Sequence, residues 1–200
     1  MIPVVILAGG LGTRLYPVTK NIPKSLVPIC GTPFIAHQLS LLSQNGVTDV
    51  VICIGYLGEQ IRALIRDGAS WGLNVKYSYD GRSQRGTGGA IKKALPLLPE
   101  DFMVIYGDSY LTTSYKNVLR AYCNSDSPCL MTLYKGVNYG LTIFNREVFR
   151  DCPDRFDLWD LFNRLQRDGE IENYIVDTPF YEVGSIEGQK KLEEFLCSTL

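Results

Sequence analysis

Val4-Val5-Ile6-Leu7-Ala8-Gly9-Gly10-Leu11-Gly12-Thr13-Arg14-Leu15, running on to Pro23-Lys24-Ser25, decides the fold. Val4 to Leu7 is apolar throughout, with no polar alternation, as in a strand covered on both faces of a parallel sheet. Gly9, Gly10 and Gly12 follow directly. Glycine admits positive φ and lets a ligand approach the backbone closely. The loop then supplies Arg14, Lys20 and Lys24, and no Asp or Glu precedes Asp49. Bare backbone N–H groups with cations that have no acidic neighbours suit a polyphosphate. A tight strand-to-helix turn with solvated charges is the plainer alternative. The loop is not a P-loop, since no window fits Gly-x-x-x-x-Gly-Lys-[Ser/Thr]. Nor is it a dinucleotide fingerprint starting at Gly10, because the third glycine would fall on Leu15. Pro17, Pro23 and Pro28 keep residues 15–30 from forming one helix, and long irregular loops in compact domains are often functional.

Downstream, Thr32 to Asn45 is expected to be helical, with Thr32 as N-cap, Pro33 at the first helical position and Ile35, Leu39 and Leu42 on one face. Asp49 to Ile54 is a second buried strand. Leu57 to Arg66 is a helix with Ile61, Leu64 and Ile65 inward, and Leu73 to Tyr79 alternates as a strand. Gly86-Thr87-Gly88-Gly89 opens a helix through Leu95. Phe102 to Tyr106 is a buried strand ending in Gly107-Asp108. This alternation predicts an α/β fold, Rossmann-like and doubly wound, with a mainly parallel sheet and right-handed crossovers. The later chain is less regular. Helices are expected over Tyr115–Asn124 and Phe156–Asp168, and strands over Cys129–Tyr134, Leu141–Phe144, Ile171–Val176 and Phe180–Val183. Ser185 should cap a last helix with Leu192, Phe195 and Leu196 inward.

At 200 residues the chain suits one domain with a sizeable core. A formal net charge of -1 implies no bulk attraction to nucleic acid or to a membrane. No apolar run approaches the ~20 residues that span a bilayer, and no basic n-region marks a signal peptide. The six cysteines form no C-x-x-C pair and His37 is the single histidine, so a zinc site is not expected. Reduced thiols in a cytoplasmic protein are the expectation.

Ligands of an open parallel sheet bind outside the carboxyl ends of its strands. The Gly9–Lys24 loop, the Gly86–Gly89 turn and Asp108 should converge there. A carboxylate facing a phosphate loop calls for a cation between them, and Mg²⁺ binds through one or two carboxylates plus substrate phosphates. Asp108 is the first candidate ligand and Glu182 the second; the alternatives are a turn or N-cap aspartate and an exposed strand-end acid. Gly86-Thr87-Gly88-Gly89 could let a flat base lie on the backbone, or could simply be a turn. Asn138-Tyr139-Gly140 could present an amide and bare backbone to a hydroxylated ligand.

Taken together, these residues resemble the sugar-1-phosphate nucleotidyltransferases, or nucleotide-sugar pyrophosphorylases, over nearly the whole chain. Leu7 to Leu15 with Pro23-Lys24 is similar to the family signature, Gly86-Thr87-Gly88 to its base-binding element, and Gly107-Asp108-Ser109 and Tyr181-Glu182-Val183-Gly184-Ser185 to its metal-binding elements. The Phe180–Gly188 ending is most similar to members acting on heptose or hexose 1-phosphates, including the D-glycero-D-manno-heptose 1-phosphate guanylyltransferases. The resemblance implies a nucleoside triphosphate and a sugar 1-phosphate as substrates and Mg²⁺ on Asp108 and Glu182. It implies Arg14 and Lys24 as catalytic groups, and Leu7, Ala8, Gly9, Gly10, Gly12, Thr13, Gly86, Thr87 and Gly88 as nucleotide contacts. Asn138, Tyr139 and Gly140 would face the sugar. Residues 1–113 then form the nucleotide-binding half of one domain and 114–200 a sugar-side half. That second half is reduced, because Lys135-Gly136-Val137 passes directly to Asn138, leaving Lys135 as the local substitute for the missing sugar-phosphate contacts. A non-catalytic relative would be expected to lose the loop cations or the metal carboxylate, and this chain keeps Arg14, Lys24 and Asp108. A glycosyltransferase of related fold would show Asp-x-Asp, and Asp108-Ser109-Tyr110 lacks the second acid. The base and the sugar stay open, and late exposed apolar residues would allow a homo-oligomer.

Overall fold

The run Val4–Leu7 is strand β1 of a computed structural model that describes residues 1–81 and 84–197. Short strands β2 (Pro28–Ile29) and β3 (Thr32–Pro33) form a hairpin ahead of helix α1 (Phe34–Gln44). Strand β4 (Asp49–Ile54), helix α2 (Gly58–Ile65), strand β5 (Asn74–Tyr79), helix α3 (Gly86–Ala94) and strand β6 (Asp101–Tyr106) complete the alternating part. Then come β7 (Ser109–Leu111), α4 (Tyr115–Cys123), β8 (Cys129–Tyr134) and β9 (Val137–Asn145). Helix α5 (Leu158–Asp168), β10 (Glu172–Ile175), β11 (Phe180–Glu182) and α6 (Ile186–Cys197) close the described chain.

Seven of these strands make one sheet in the order β10-β8-β9-β6-β1-β4-β5. Strand β9 runs antiparallel to both of its neighbours, and every other pairing in the sheet is parallel. The expected doubly wound, mainly parallel sheet is therefore present. Side chains alternate across β1 with period two. Val4 and Ile6 join one buried face with Ile35 and Leu39 of α1, Ile61 of α2 and Val118 of α4. Val5 joins the other with Ala90 and Ile91 of α3 and Leu161 and Phe162 of α5. The uninterrupted apolar strands are explained by these two helical layers. A third, smaller cluster of Ile29, Phe34, Val183 and Leu192 fastens α6 to the β2–β3 hairpin. Among the described residues no helix is long and apolar enough to cross a membrane.

Local details differ from the sequence reading. Thr32 and Pro33 pair with Ile29 and Pro28 as a strand, so α1 starts at Phe34 and Thr32 does not cap it. Leu64 is 43% exposed rather than inward, because the short α2 turns its apolar face through Ile61 and Ile65. Asp108 caps no helix; it stands in the Gly107-Asp108 turn between β6 and β7, and β7 pairs with β11. The link after Tyr134 is a two-residue hairpin turn with positive φ at Lys135 and Gly136, the geometry that matches strand twist.

Candidate active site

Residues Leu7, Cys53 and Tyr106 stand side by side in register at the carboxyl ends of β1, β4 and β6. Above them opens a cavity of about 770 Å³. Its wall includes Leu7, Ala8, Gly9, Gly10, Gly12, Thr13, Arg14 and Lys24 on one side, Gly86 and Thr87 on another, and Asp108. The three segments expected to converge do so, at the point where the strand order reverses around β1.

The glycine loop is held by its own chemistry. Gly12 has φ of 64°, the left-handed region, and a Cβ there would lie 3.2 Å from Thr19. The buried Thr19 hydroxyl donates to the Gly12 carbonyl at 2.7 Å. Leu15 is buried beneath the loop, while Arg14 is exposed and makes no hydrogen bond or ion pair among the described residues. A free guanidinium on an anchored loop is ready for an external anion.

The pairing of β7 with β11 sets Glu182 opposite Ser109, next to Asp108, whose carbonyl accepts the Val183 N–H at 2.9 Å. Lys24 forms an ion pair with Asp108. The Glu182 carboxylate accepts from the Gly184 N–H and from the Ser185 hydroxyl, the latter at 2.7 Å. Ser185 in turn accepts the Gly188 N–H at 3.0 Å and so caps α6 as expected. A Cβ on Gly184 would lie 2.7 Å from the Lys24 ammonium and closer still to Glu182. Asp108 and Glu182 are thus brought near each other by the β7–β11 pairing, but Lys24 occupies the Asp108 carboxylate, and Glu182, outside the cavity lining, is engaged by Gly184 and Ser185. Hard oxygen donors in that number suit Mg²⁺ sharing phosphate ligands. Among the described residues no group of three or more His, Cys, Asp or Glu could hold a metal alone.

The α3 wall is built differently from expectation. The Phe156 carbonyl accepts the Gly88 and Gly89 N–H groups, each at 3.1 Å. Asp157 accepts the Thr87 N–H at 3.1 Å, and the Thr87 hydroxyl accepts the Leu158 N–H at 2.8 Å. The two helix N-termini of α3 and α5 therefore cap each other. Gly86 and Thr87 face the cavity, but Gly88 is absent from its lining and lies against the Phe156 ring. The segment Arg155, Phe156, Asp157 and Asp160 joins the cavity wall instead. Nothing local in the sequence marks that segment apart from Asp157 ahead of a helix.

Asn138, Tyr139 and Gly140 are not brought into the cavity lining. Tyr139 is 1% exposed, its ring edge-on to Phe180 and its hydroxyl accepting the Thr113 N–H at 3.1 Å. Asn138 accepts the N–H of Gly140 at 2.8 Å. The Lys135 ammonium lies 5.2 Å from the centre of the Tyr134 ring. Ser25, Gln84, Arg85, Tyr106 and Asp80 also line the cavity, and no local sequence signal marks them for it. Burial raises the Tyr106 hydroxyl above its ordinary pKa, with Asp108 and Asp157 adding to the shift. Asp80, directly after β5, is also raised by burial, against the opposing pull of Lys93 and Arg85.

A family model described as nucleotidyl transferase matches residues 3–149. The N-acetylmuramate alpha-1-phosphate uridylyltransferase of Neisseria meningitidis serogroup B is 41% identical over 105 residues, covering 52% of this chain and 46% of that protein. The D-glycero-alpha-D-manno-heptose 1-phosphate guanylyltransferase of Campylobacter jejuni is 37% identical over 106 residues, covering 53% and 47%. The matches thus span about half the length of these curated relatives. The crystal structure of HddC from Yersinia pseudotuberculosis complexed with GMP-PN superposes with a TM-score of 0.85 at 26% identity, covering 98% of this chain and 100% of that one. The compact second half is therefore shared with a solved structure of the same extent.

Proposed function

Because the chain belongs to the nucleotidyl transferase family, we propose that it transfers the nucleotidyl group of a nucleoside triphosphate to a heptose or hexose 1-phosphate. The products are a nucleotide-activated sugar and pyrophosphate. The observation behind this reading is the convergence of the Gly9–Arg14 loop, Lys24, the start of α3 and Asp108 on one cavity. Both curated relatives named above act on sugar 1-phosphates.

An oxygen of the sugar phosphate attacks the α-phosphorus, and the bond to the β-phosphate oxygen breaks in line. The nucleophile is already an anion, so positioning and charge neutralisation do the catalytic work rather than proton transfer. The glycine loop offers N–H groups to the phosphates. Arg14, with no partner among the described residues, takes the β- and γ-phosphates and steadies the leaving pyrophosphate. Lys24 moves from Asp108 to the α-phosphate or the attacking phosphate. Asp108 and Glu182 would hold Mg²⁺, which when bound neutralises phosphate oxygens. Retention of Arg14, Lys24 and Asp108 within one cavity speaks against a non-catalytic relative. The reading places the protein in the cytoplasm, where both substrates are made.

A matrix assay tests it. The common nucleoside triphosphates are crossed with heptose and hexose 1-phosphates in Mg²⁺, and pyrophosphate release is followed. At least one pair should give stoichiometric nucleotide-sugar; release from no pair would overturn the proposal.

A further inference from the structure

We propose that Cys30 and Cys197 form a reversible disulfide that fastens the end of α6 to the β2–β3 hairpin. The proposal is independent of the nucleotidyltransferase reading. The two thiols are 167 residues apart in the chain, yet both are exposed and their sulfurs stand 3.0 Å apart. A disulfide bond is about 2.0 Å long, so closure asks for a movement of about 1 Å. Cys53, Cys129 and Cys152 are buried and do not share this placement.

The fold holds the pair together from both sides. Cys30 and Gly31 are the central residues of the hairpin turn, with φ of 46° and 75°. Asn, Asp or Gly usually fills the first of these positions. The Cys30 N–H donates to the Glu193 carboxylate at 3.3 Å, and its thiol to the Glu193 carbonyl at 3.8 Å. Glu193 lies four residues before Cys197, on the same side of α6. Leu192 of that helix packs with Ile29 and Phe34 of the hairpin region. Folding has thus already met the entropic cost of bringing the two ends together, and each sulfur meets the other at high effective concentration. The bond would secure α6, which follows Gly184 of the cavity wall and Ser185, the partner of Glu182.

A small disulfide such as oxidised glutathione serves as oxidant. The Cys30 thiol is pushed up to about 11, first by its hydrogen bond with Cys197, then by partial desolvation and by the Cys197 and Glu193 charges. Cys30 is thereby the poorer first nucleophile, and Cys197 attacks. Its sulfur bonds to one glutathione sulfur, the oxidant's S–S bond breaks, and a glutathione thiolate leaves. Cys30 then attacks the Cys197 sulfur and the second glutathione thiolate leaves. The two cysteine protons end on the two glutathione thiols; two cysteines are oxidised and one disulfide is reduced. In a reducing compartment the pair rests open and closes on oxidation.

The reduced full chain is treated with oxidised glutathione, quenched with N-ethylmaleimide, and mapped by peptide mass without reduction. Calorimetry gives the Tm before and after. A Cys30–Cys197 cross-linked peptide should form, the Tm should rise by about 4–16 °C, and dithiothreitol should reverse both. Cys30→Ser and Cys197→Ser should each gain no Tm from the oxidant and carry glutathione on the remaining thiol. Separate glutathione adducts on Cys30 and Cys197 of the unsubstituted chain, a bond to another cysteine or to a second copy, or a cross-link that leaves the Tm unchanged would each overturn the inference.

Discussion

Replacing Gly88 by alanine separates packing from ligand contact on the α3 wall. A Cβ at Gly88 would lie 2.6 Å from both Cδ2 and Cζ of Phe156 and closer still to Cε2. These are rigid ring atoms, not the flexible end of a chain, and Phe156 is tied down through its carbonyl to the N–H groups of Gly88 and Gly89. Forcing a methyl into a filled site costs about 1–3 kcal/mol. Alanine returns up to about 1 kcal/mol of helix propensity. The expected net loss is about 1–2 kcal/mol, or a Tm lower by about 2–8 °C for a chain of this size. Calorimetric unfolding of Gly88→Ala, Phe156→Leu and the double variant measures it. Shrinking the ring should relieve the alanine, giving a coupling of about 1 kcal/mol or more. Additive effects with an unchanged Tm for Gly88→Ala, together with weaker nucleotide binding, would refute the packing role and restore Gly88 to the ligand.

Arg14→Ala should lower turnover by about 10²–10³, the scale of a lost transition-state donor, with Tm unchanged because Arg14 has no partner among the described residues; near-wild-type turnover would sink its role. Asp108→Asn should raise the Mg²⁺ concentration needed for half-maximal turnover at least tenfold, and an unchanged titration would place the metal elsewhere. Asp80 has a folded-state pKa above its ordinary 3.8. Folding therefore favours its protonated form, and its contribution to stability is lost as pH rises from about 3.8 through the raised value. Asp80→Asn should accordingly raise the Tm of the ligand-free protein at neutral pH, by about 2–4 °C for each 1 kcal/mol relieved, with the gain vanishing toward pH 3; a lower Tm at pH 7 would show that the carboxylate has a partner within the fold.

How much of the site is legible in the sequence depends on how local each contact is. The loop from Gly9 to Arg14 is legible because strand, turn and cation are adjacent in the chain. Periodicity does not bring Asp108 and Glu182 together, since a three-residue pairing, β7 with β11, is too short to leave a signal; only the family resemblance joins them in the sequence. Gly86-Thr87-Gly88 misleads for a physical reason: a missing side chain serves a ligand or a packed ring equally well, and the ring of Phe156 is 68 residues away from Gly88 in the chain. Tyr139 sits in the core because its ring meets Phe180 and its hydroxyl finds the Thr113 N–H, neither of which is adjacent in sequence.

The distribution of charge around the cavity limits where each part of a nucleotide can go. The first 48 residues contain no acid, yet the wall holds Asp80, Asp108, Asp157 and Asp160. Asp108 is paired with Lys24 and Asp157 is engaged by Thr87. Asp80 is buried, its backbone carbonyl accepting from Arg85 Nε at 3.0 Å, and Lys93 and Arg85 pull its carboxyl pKa down against burial. Under the proposed function the phosphates take the stretch that has no acids of its own, between the glycine loop and Lys24. Asp80 lies on the far side of β4, at the carboxyl end of β5. On that proposal the acid-free loop favours the triphosphate at its own end of the cavity, and the carboxylate beyond β4 disfavours it at the other.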